Sequence, residues 1–176
     1  MAHATARSGY EHLVERLNRF PQGAPPSDRL YRILALLFSE REAGLVALLP
    51  IRPFTLATAA RAWKTTAAEA EKTLDTLASR ALLIDARRNG EKTWVLPPPM
   101  AGFFEFSMMR VRGDVDQEAL ARLFYEYLNV EEDFVRELFA RGETQLGRTF
   151  VNEAALPADE ALHVLDWERA SEVART

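Results

Sequence analysis

Cysteine is absent from the 176 residues, which excludes disulfides, thiolate metal ligands and thiol catalysis within the chain. No apolar run approaches the roughly 18 residues that a membrane-spanning helix needs. The opening stretch Met1-Ala2-His3-Ala4-Thr5-Ala6-Arg7 lacks the apolar core of a secretory signal. The expectation is a cytoplasmic protein with no membrane partner. Histidine is scarce: His3, His12 and His163 are scattered, and no pair has metal-ligand spacing. A glycine-rich phosphate loop is missing too, since Gly142 and Gly147 lack the flanking glycines and lysine. With no convergent set of catalytic residues, the sequence predicts no active site and no metal site in this chain. Positive charge is also short. A net charge of -4 argues against a protein coated in nucleic acid but leaves room for a local basic patch.

What is present is enough apolar residue, 48%, for a substantial core. The chain is organised around the stretch Phe54 to Pro97. Thr55 is placed as N-cap of a short helix through Trp63, just after Pro53. Lys64-Thr65 forms a turn, and Thr66-Ala67-Ala68-Glu69 matches a capping box opening a helix to about Arg80. Two strand-like runs, Leu82 to Arg88 and Glu91 to Leu96, flank Asn89-Gly90, the strongest short hairpin signal in the chain. This order predicts a winged helix-turn-helix, with the hairpin as the wing.

Around it the pattern is helical. Tyr10 opens a helix with Leu13, Val14, Leu17 and Phe20 on one face and Glu11, His12, Glu15, Arg16 and Arg19 on the others. Pro21 to Pro26 is a connector, Ser27 caps a second helix, and Ser39-Glu40-Arg41-Glu42 opens a third through Ala43, Leu45, Val46 and Leu48 that Pro50 ends. The first two helices are expected to pack on the back of the winged domain or across a dimer. Pro97-Pro98-Pro99 stops the sheet. Met100 to Val111 is densely apolar, Asp116 caps a helix carrying Leu120, Leu123, Phe124, Tyr127 and Leu128, and Asn129 to Glu132 caps another that Gly142 ends. Short strands are expected near Thr149 to Val151 and His163 to Leu165, then a last helix capped by Asp166 and unfinished at Thr176. The expected fold class is mainly α with a small β-hairpin. Its parts are residues 1–26 as a tail, helix and Pro-rich connector, 27–99 as the winged domain, and 100–176 as a helical extension.

Two sets of residues are candidates for binding. Phe54 to Pro97 holds seven basic and five acidic residues, so it is the weakly basic part of an acidic chain. On its second helix Lys72 and Arg80 are candidates for phosphate or guanine, and Thr73 and Thr76 for base edges, although Glu69, Glu71 and Asp75 make that helix net negative. In the wing, a two-residue turn sets Arg88 opposite Glu91 and Arg87 opposite Lys92. Like charges face each other there, so Arg87, Arg88 and Lys92 suit duplex DNA or an acidic protein surface, while plain solvation explains them equally. The second set is Phe103, Phe104, Phe106, Met108 and Met109, which need a cover: the helices from Gln117 to Arg141, a partner helix, or a second subunit in a homodimer. Glu105 and Arg110 are the charges whose burial there would demand a partner.

Four strings, Leu17-Asn18-Arg19-Phe20-Pro21-Gln22-Gly23-Ala24-Pro25, Val95-Leu96-Pro97-Pro98-Pro99-Met100-Ala101-Gly102-Phe103-Phe104-Glu105-Phe106, Tyr127-Leu128-Asn129-Val130-Glu131-Glu132-Asp133-Phe134 and His163-Val164-Leu165-Asp166, resemble the N-terminal region of a family of bacterial ferredoxin-like 4Fe-4S proteins. The resemblance implies a winged-helix-like front end followed by cysteine-rich segments that hold the clusters. No cluster ligand can be carried over to a chain without cysteine, so the implied cofactor and redox role belong to a C-terminal region not in this sequence. Two functions follow as expectations. One is a non-catalytic interaction or regulatory module at the front of a 4Fe-4S electron-transfer protein, with a cluster domain or redox protein as partner. The other is a DNA-binding transcription regulator that uses the second helix and the wing.

Overall fold

The computed structural model describes residues 8–88 and 90–139, with Trp167 and Ser171. Of two compact units, Met1–Gln145 and Leu146–Thr176, the first holds every element named below. The expected stop at Gly142, both C-terminal strands and the Asp166 cap lie outside the described residues, while Trp167 and Ser171 are helical. No helix among the described residues is long and apolar enough to cross a membrane.

The described fold is mainly helical with a small three-stranded antiparallel sheet. In chain order it runs α1 (Gly9–Leu17), α2 (Asp28–Leu37), α3 (Glu40–Ala47), β1 (Phe54–Thr55), α4 (Leu56–Trp63), α5 (Ala67–Ser79), β2 (Ile84–Arg88) and β3 (Glu91–Val95). A π-helical turn at Pro99–Phe103 leads into α6 (Phe104–Met109), α7 (Gln117–Tyr125) runs into a second π-helical turn at Glu126–Val130, and α8 (Glu132–Phe139) follows.

Helix starts follow the capping chemistry. The Ser39 and Thr66 hydroxyls accept from the Glu42 and Glu69 N–H groups, and each glutamate carboxylate accepts from the cap N–H in return. A third box, Ser8 with Glu11, starts α1 one residue earlier than the apolar pattern suggests. Asp116 caps α7 by accepting from the Ala119 N–H at 2.9 Å. Thr55 occupies its cap position without a side-chain cap bond, because its Oγ1 meets Thr58 Oγ1 instead. Asn129 caps nothing: the preceding helix runs on through a π-helical turn, and Asn129 Nδ2 donates back to the Tyr125 carbonyl.

The hairpin has the register that a two-residue turn dictates: Arg88↔Glu91, Arg87↔Lys92, Asp85↔Trp94 and Ile84↔Val95. Gly90 has φ +84°, a conformation that glycine adopts without strain. One strand lay outside the expectation. The two residues of β1 pair with β3, giving the sheet order β1-β3-β2, too short a run to show alternation.

A single core cluster links these elements. α1 packs along α3, and α2 packs against α7, so the N-terminal helices are covered within the chain. α1 also buries Arg16, fully inaccessible, where the sequence put it on a polar face. Its Nε and Nη2 donate to the carbonyls of Leu49 and Pro50, satisfying backbone beyond the end of α3. Leu48, expected inside, is 60% exposed. The apolar segment after the sheet is covered in part by its own chain. Phe103 and Phe104, offered above as a partner surface, are core residues: the Phe104 ring lies 5.0 Å from that of Phe124, 5.9 Å from Tyr127 and 5.7 Å from Phe134. Phe106 and Met108 are half-buried, and Met109 is exposed. Glu105 and Arg110 are both exposed, so neither charge is desolvated there.

Candidate functional site

The outward face of α5 forms one wall of a concavity whose other walls are α3 and the Lys64-Thr65 turn. Lys72, Thr73 and Thr76 line it together, as the helical spacing requires. Arg41 and Lys64 line it too; neither was singled out from the sequence, because they come from other elements. Both threonine hydroxyls donate to backbone carbonyls one turn back, Thr73 to Glu69 at 3.0 Å and Thr76 to Lys72 at 2.8 Å, so they face an incoming group as acceptors only. Glu69 also lines the concavity. Hydrogen bonds from the Thr65 and Thr66 hydroxyls and the Thr66 N–H hold its carboxyl below the usual glutamate range, so its negative charge persists there.

Two of the proposed anion-binding bases are already engaged. Arg80 leaves the α5 face for an ion pair with Glu42 on α3. Lys92 pairs with Asp75 at 2.6 Å and lies 3.5 Å from Asp85, with its ammonium 4.9 Å from the centre of the Trp94 ring. The Asp75 hydrogen bond leads the causes that raise its pKa. Arg87 sits across from Lys92, is exposed, and has no ion-pair or hydrogen-bond partner among the described residues. Arg88 lies opposite Glu91. Among the described side chains the wing therefore offers Arg87 as a charge without a partner, and it stands on a different element from Lys72 of α5.

The second surface is apolar. Ile84 and Asp85 of β2, Ala78 and Ala81 at the end of α5, and Phe106, Met109, Arg110 and Val111 line a groove. Met109 is 75% exposed, Val111 89% and Ile84 37%, so three large apolar side chains meet water at one place. Its floor is fixed by helix-end chemistry. Ala81 adopts φ +57°, and the Leu82 N–H reaches back to the Leu77 carbonyl at 3.0 Å, the reverse turn that ends a helix and normally favours glycine. Arg110 and Arg112 tie the next segment to the same helix end by donating to the Ser79 and Ala-flanking Arg80 carbonyls. β2 is the outermost strand beside this groove, and no backbone hydrogen bond is made along its outer side among the described residues. Of the apolar candidates Phe106 and Met109 line the groove; Ile84 of β2 and Val111 after α6, not singled out from the sequence, complete it.

No group of three His, Asp or Glu side chains among the described residues is placed to hold a metal ion. With no cysteine in the chain, these residues do not fit a 4Fe-4S cluster. Comparison with known protein families, with curated proteins and with solved structures finds no match.

Proposed function

We propose that the chain is a non-catalytic winged-helix interaction module, and that the groove between β2 and α6 with the adjoining strand edge is its docking surface. The order of α3, β1, α4, α5, β2 and β3, with β3 central in the sheet, supports the winged-helix reading. The observation that carries the function is the meeting of exposed Ile84, Met109 and Val111 beside a strand edge that is unpaired among the described residues. Exposed apolar surface costs solvation free energy unless something covers it, and an open edge is a ready template for another backbone. Within the resemblance drawn from the sequence, the module stands at the front of a 4Fe-4S electron-transfer protein and organises its assembly. Fold alone does not decide between such roles, because winged helices serve both protein and nucleic-acid binding.

DNA binding is the second reading, favoured by the convergence of Arg41, Lys64 and Lys72 on one concave face. It is weakened by the internal pairing of Arg80 and Lys92. One comparison separates the two. Hydrogen exchange at the Asp85, Arg87 and Val111 amides is measured on the protein as encoded, at high concentration, with and without Met109→Asp. Slow exchange that Met109→Asp accelerates is the expected result, whereas open-edge rates in both proteins overturn the docking reading. A duplex titration over a salt series, with and without Lys72→Ala and Arg87→Ala, tests the other. Binding that falls steeply with salt and weakens in the variants supports it, and no binding at low salt sinks it.

A further inference from the structure

The docking reading leaves the occupant of the β2 edge open, and β2 itself carries the information to choose one. Arg88 and Glu91 flank the two-residue turn, so they form a bonded pair across the hairpin, and the pairs Ala86↔Thr93 and Ile84↔Val95 repeat it. Asp85 and Arg87 therefore turn their N–H and C=O groups away from β3, toward the open side. Their side chains share one face of the sheet, two residues apart. We infer that a second copy of this chain takes this edge, its β2 antiparallel to the first about a two-fold axis that is perpendicular to the sheet and runs midway between the two Ala86 residues. The inference rests on the docking reading above.

The register follows from symmetry and charge. A two-fold axis perpendicular to the sheet keeps each side chain on its own face, so only registers centred on a residue are allowed. Centring on Asp85 sets carboxylate against carboxylate, and centring on Arg87 sets guanidinium against guanidinium. Centring on Ala86 sets Asp85 of each copy opposite Arg87 of the other, twice, with Ala86 meeting Ala86 at the axis. In that register the two Asp85–Arg87 pairs are also the ones that exchange backbone hydrogen bonds, four in all by symmetry. Arg87 gains the carboxylate it lacks among the described residues, and the repulsion from Lys92 across the hairpin is offset. Two three-stranded sheets join into one, and each copy's turn extends along the edge toward the other's Met109 and Val111, whose exposure then has a cover.

The test is a reciprocal charge swap read by sedimentation of the protein as encoded over a concentration series. The wild type is expected to form dimers. Asp85→Arg alone and Arg87→Asp alone each replace two opposite-charge pairs by two like-charge pairs and weaken dimerisation at least roughly tenfold. Mixing the two variants restores it, because every cross-strand pair is again opposite in sign, and this rescue excludes mere misfolding as the cause of the loss. Circular dichroism of each variant checks the fold. A wild type that stays monomeric, or a mixture that fails to associate, overturns the second-copy occupant. If the edge amides nevertheless exchange slowly in that monomer, another segment of the encoded protein holds the surface and the docking reading survives without the second copy; if they exchange at open-edge rates, both fall.

Discussion

At Gly9 a Cβ would sit 2.3 Å from the Glu40 carbonyl oxygen and 2.9 Å from the Gly44 N, both rigid backbone atoms. The hydrogen side chain is what lets α1 lie against α3. At Gly44, in the same contact, the nearest atom to a new Cβ is the Gly9 Cα at 3.8 Å, ordinary van der Waals distance. The two glycines are therefore not equivalent. Gly9→Ala is expected to cost about 2–3 kcal/mol as overpacking, and Gly44→Ala to gain about 0.5–1 kcal/mol through helix propensity, both read from urea midpoints. Arg16, at the far end of α1, is a different case: desolvation, then the nearby charge of Arg19, lowers its pKa to about 10, and its Nη1 finds no hydrogen-bond partner among the described residues. Its burial escaped the sequence reading because residue type outweighed position. Arg16 lies three residues after Leu13, on the flank of the apolar face, and its carbonyl partners are 33 and 34 residues away.

Among the elements, the start of α3 holds a partly buried carboxyl that makes the fold sensitive to acid. Burial alone would raise the Glu42 carboxyl, but the Ser39 N–H and hydroxyl and the Arg80 guanidinium together bring it below its ordinary value of 4.5. A carboxyl whose folded value is depressed adds stability that is complete above the unfolded value and is lost as pH falls through the folded one. The expected result is a melting temperature that drops as the pH falls below about 4.5 and drops less steeply in Glu42→Gln, with thermal scans at several pH values as the measurement. This capping box was legible, since its two members are three residues apart. The Arg80 half was not, because its partner lies 38 residues back. The same distinction explains the wing: register followed from Asn89-Gly90, whereas the capture of Lys92 by Asp75 depends on how α5 crosses the hairpin.

For the molecule as a whole, the N-terminal helix belongs to the core. Leu13, Val14 and Leu17 are at most 4% exposed, and each such side chain contributes about 1.5–3 kcal/mol on burial. Their sum is comparable with the 5–15 kcal/mol, roughly, that holds a typical domain folded. A chain beginning at Ser27 is expected to show no cooperative urea transition, and a sharp one would contradict the packing described here. Helix content and the hairpin were readable because they repeat locally. The common core was not, because α1 on α3 and α2 on α7 join segments that no periodicity connects, and the apolar groove was hidden for the same reason, its lining coming from α5, β2 and α6.

The three tryptophans end up in three unlike places. Trp94 is sealed in the core beneath the Lys92 ammonium, Trp63 is half-buried with its indole N–H held by the Leu45 carbonyl at 2.8 Å, and Trp167 is 75% exposed. The chain thus carries graded optical labels of its own. An aqueous quencher such as iodide reaches Trp167 first and Trp94 last, so one emission spectrum, resolved by quenching, separates events at the second unit from opening of the first without any dye attached.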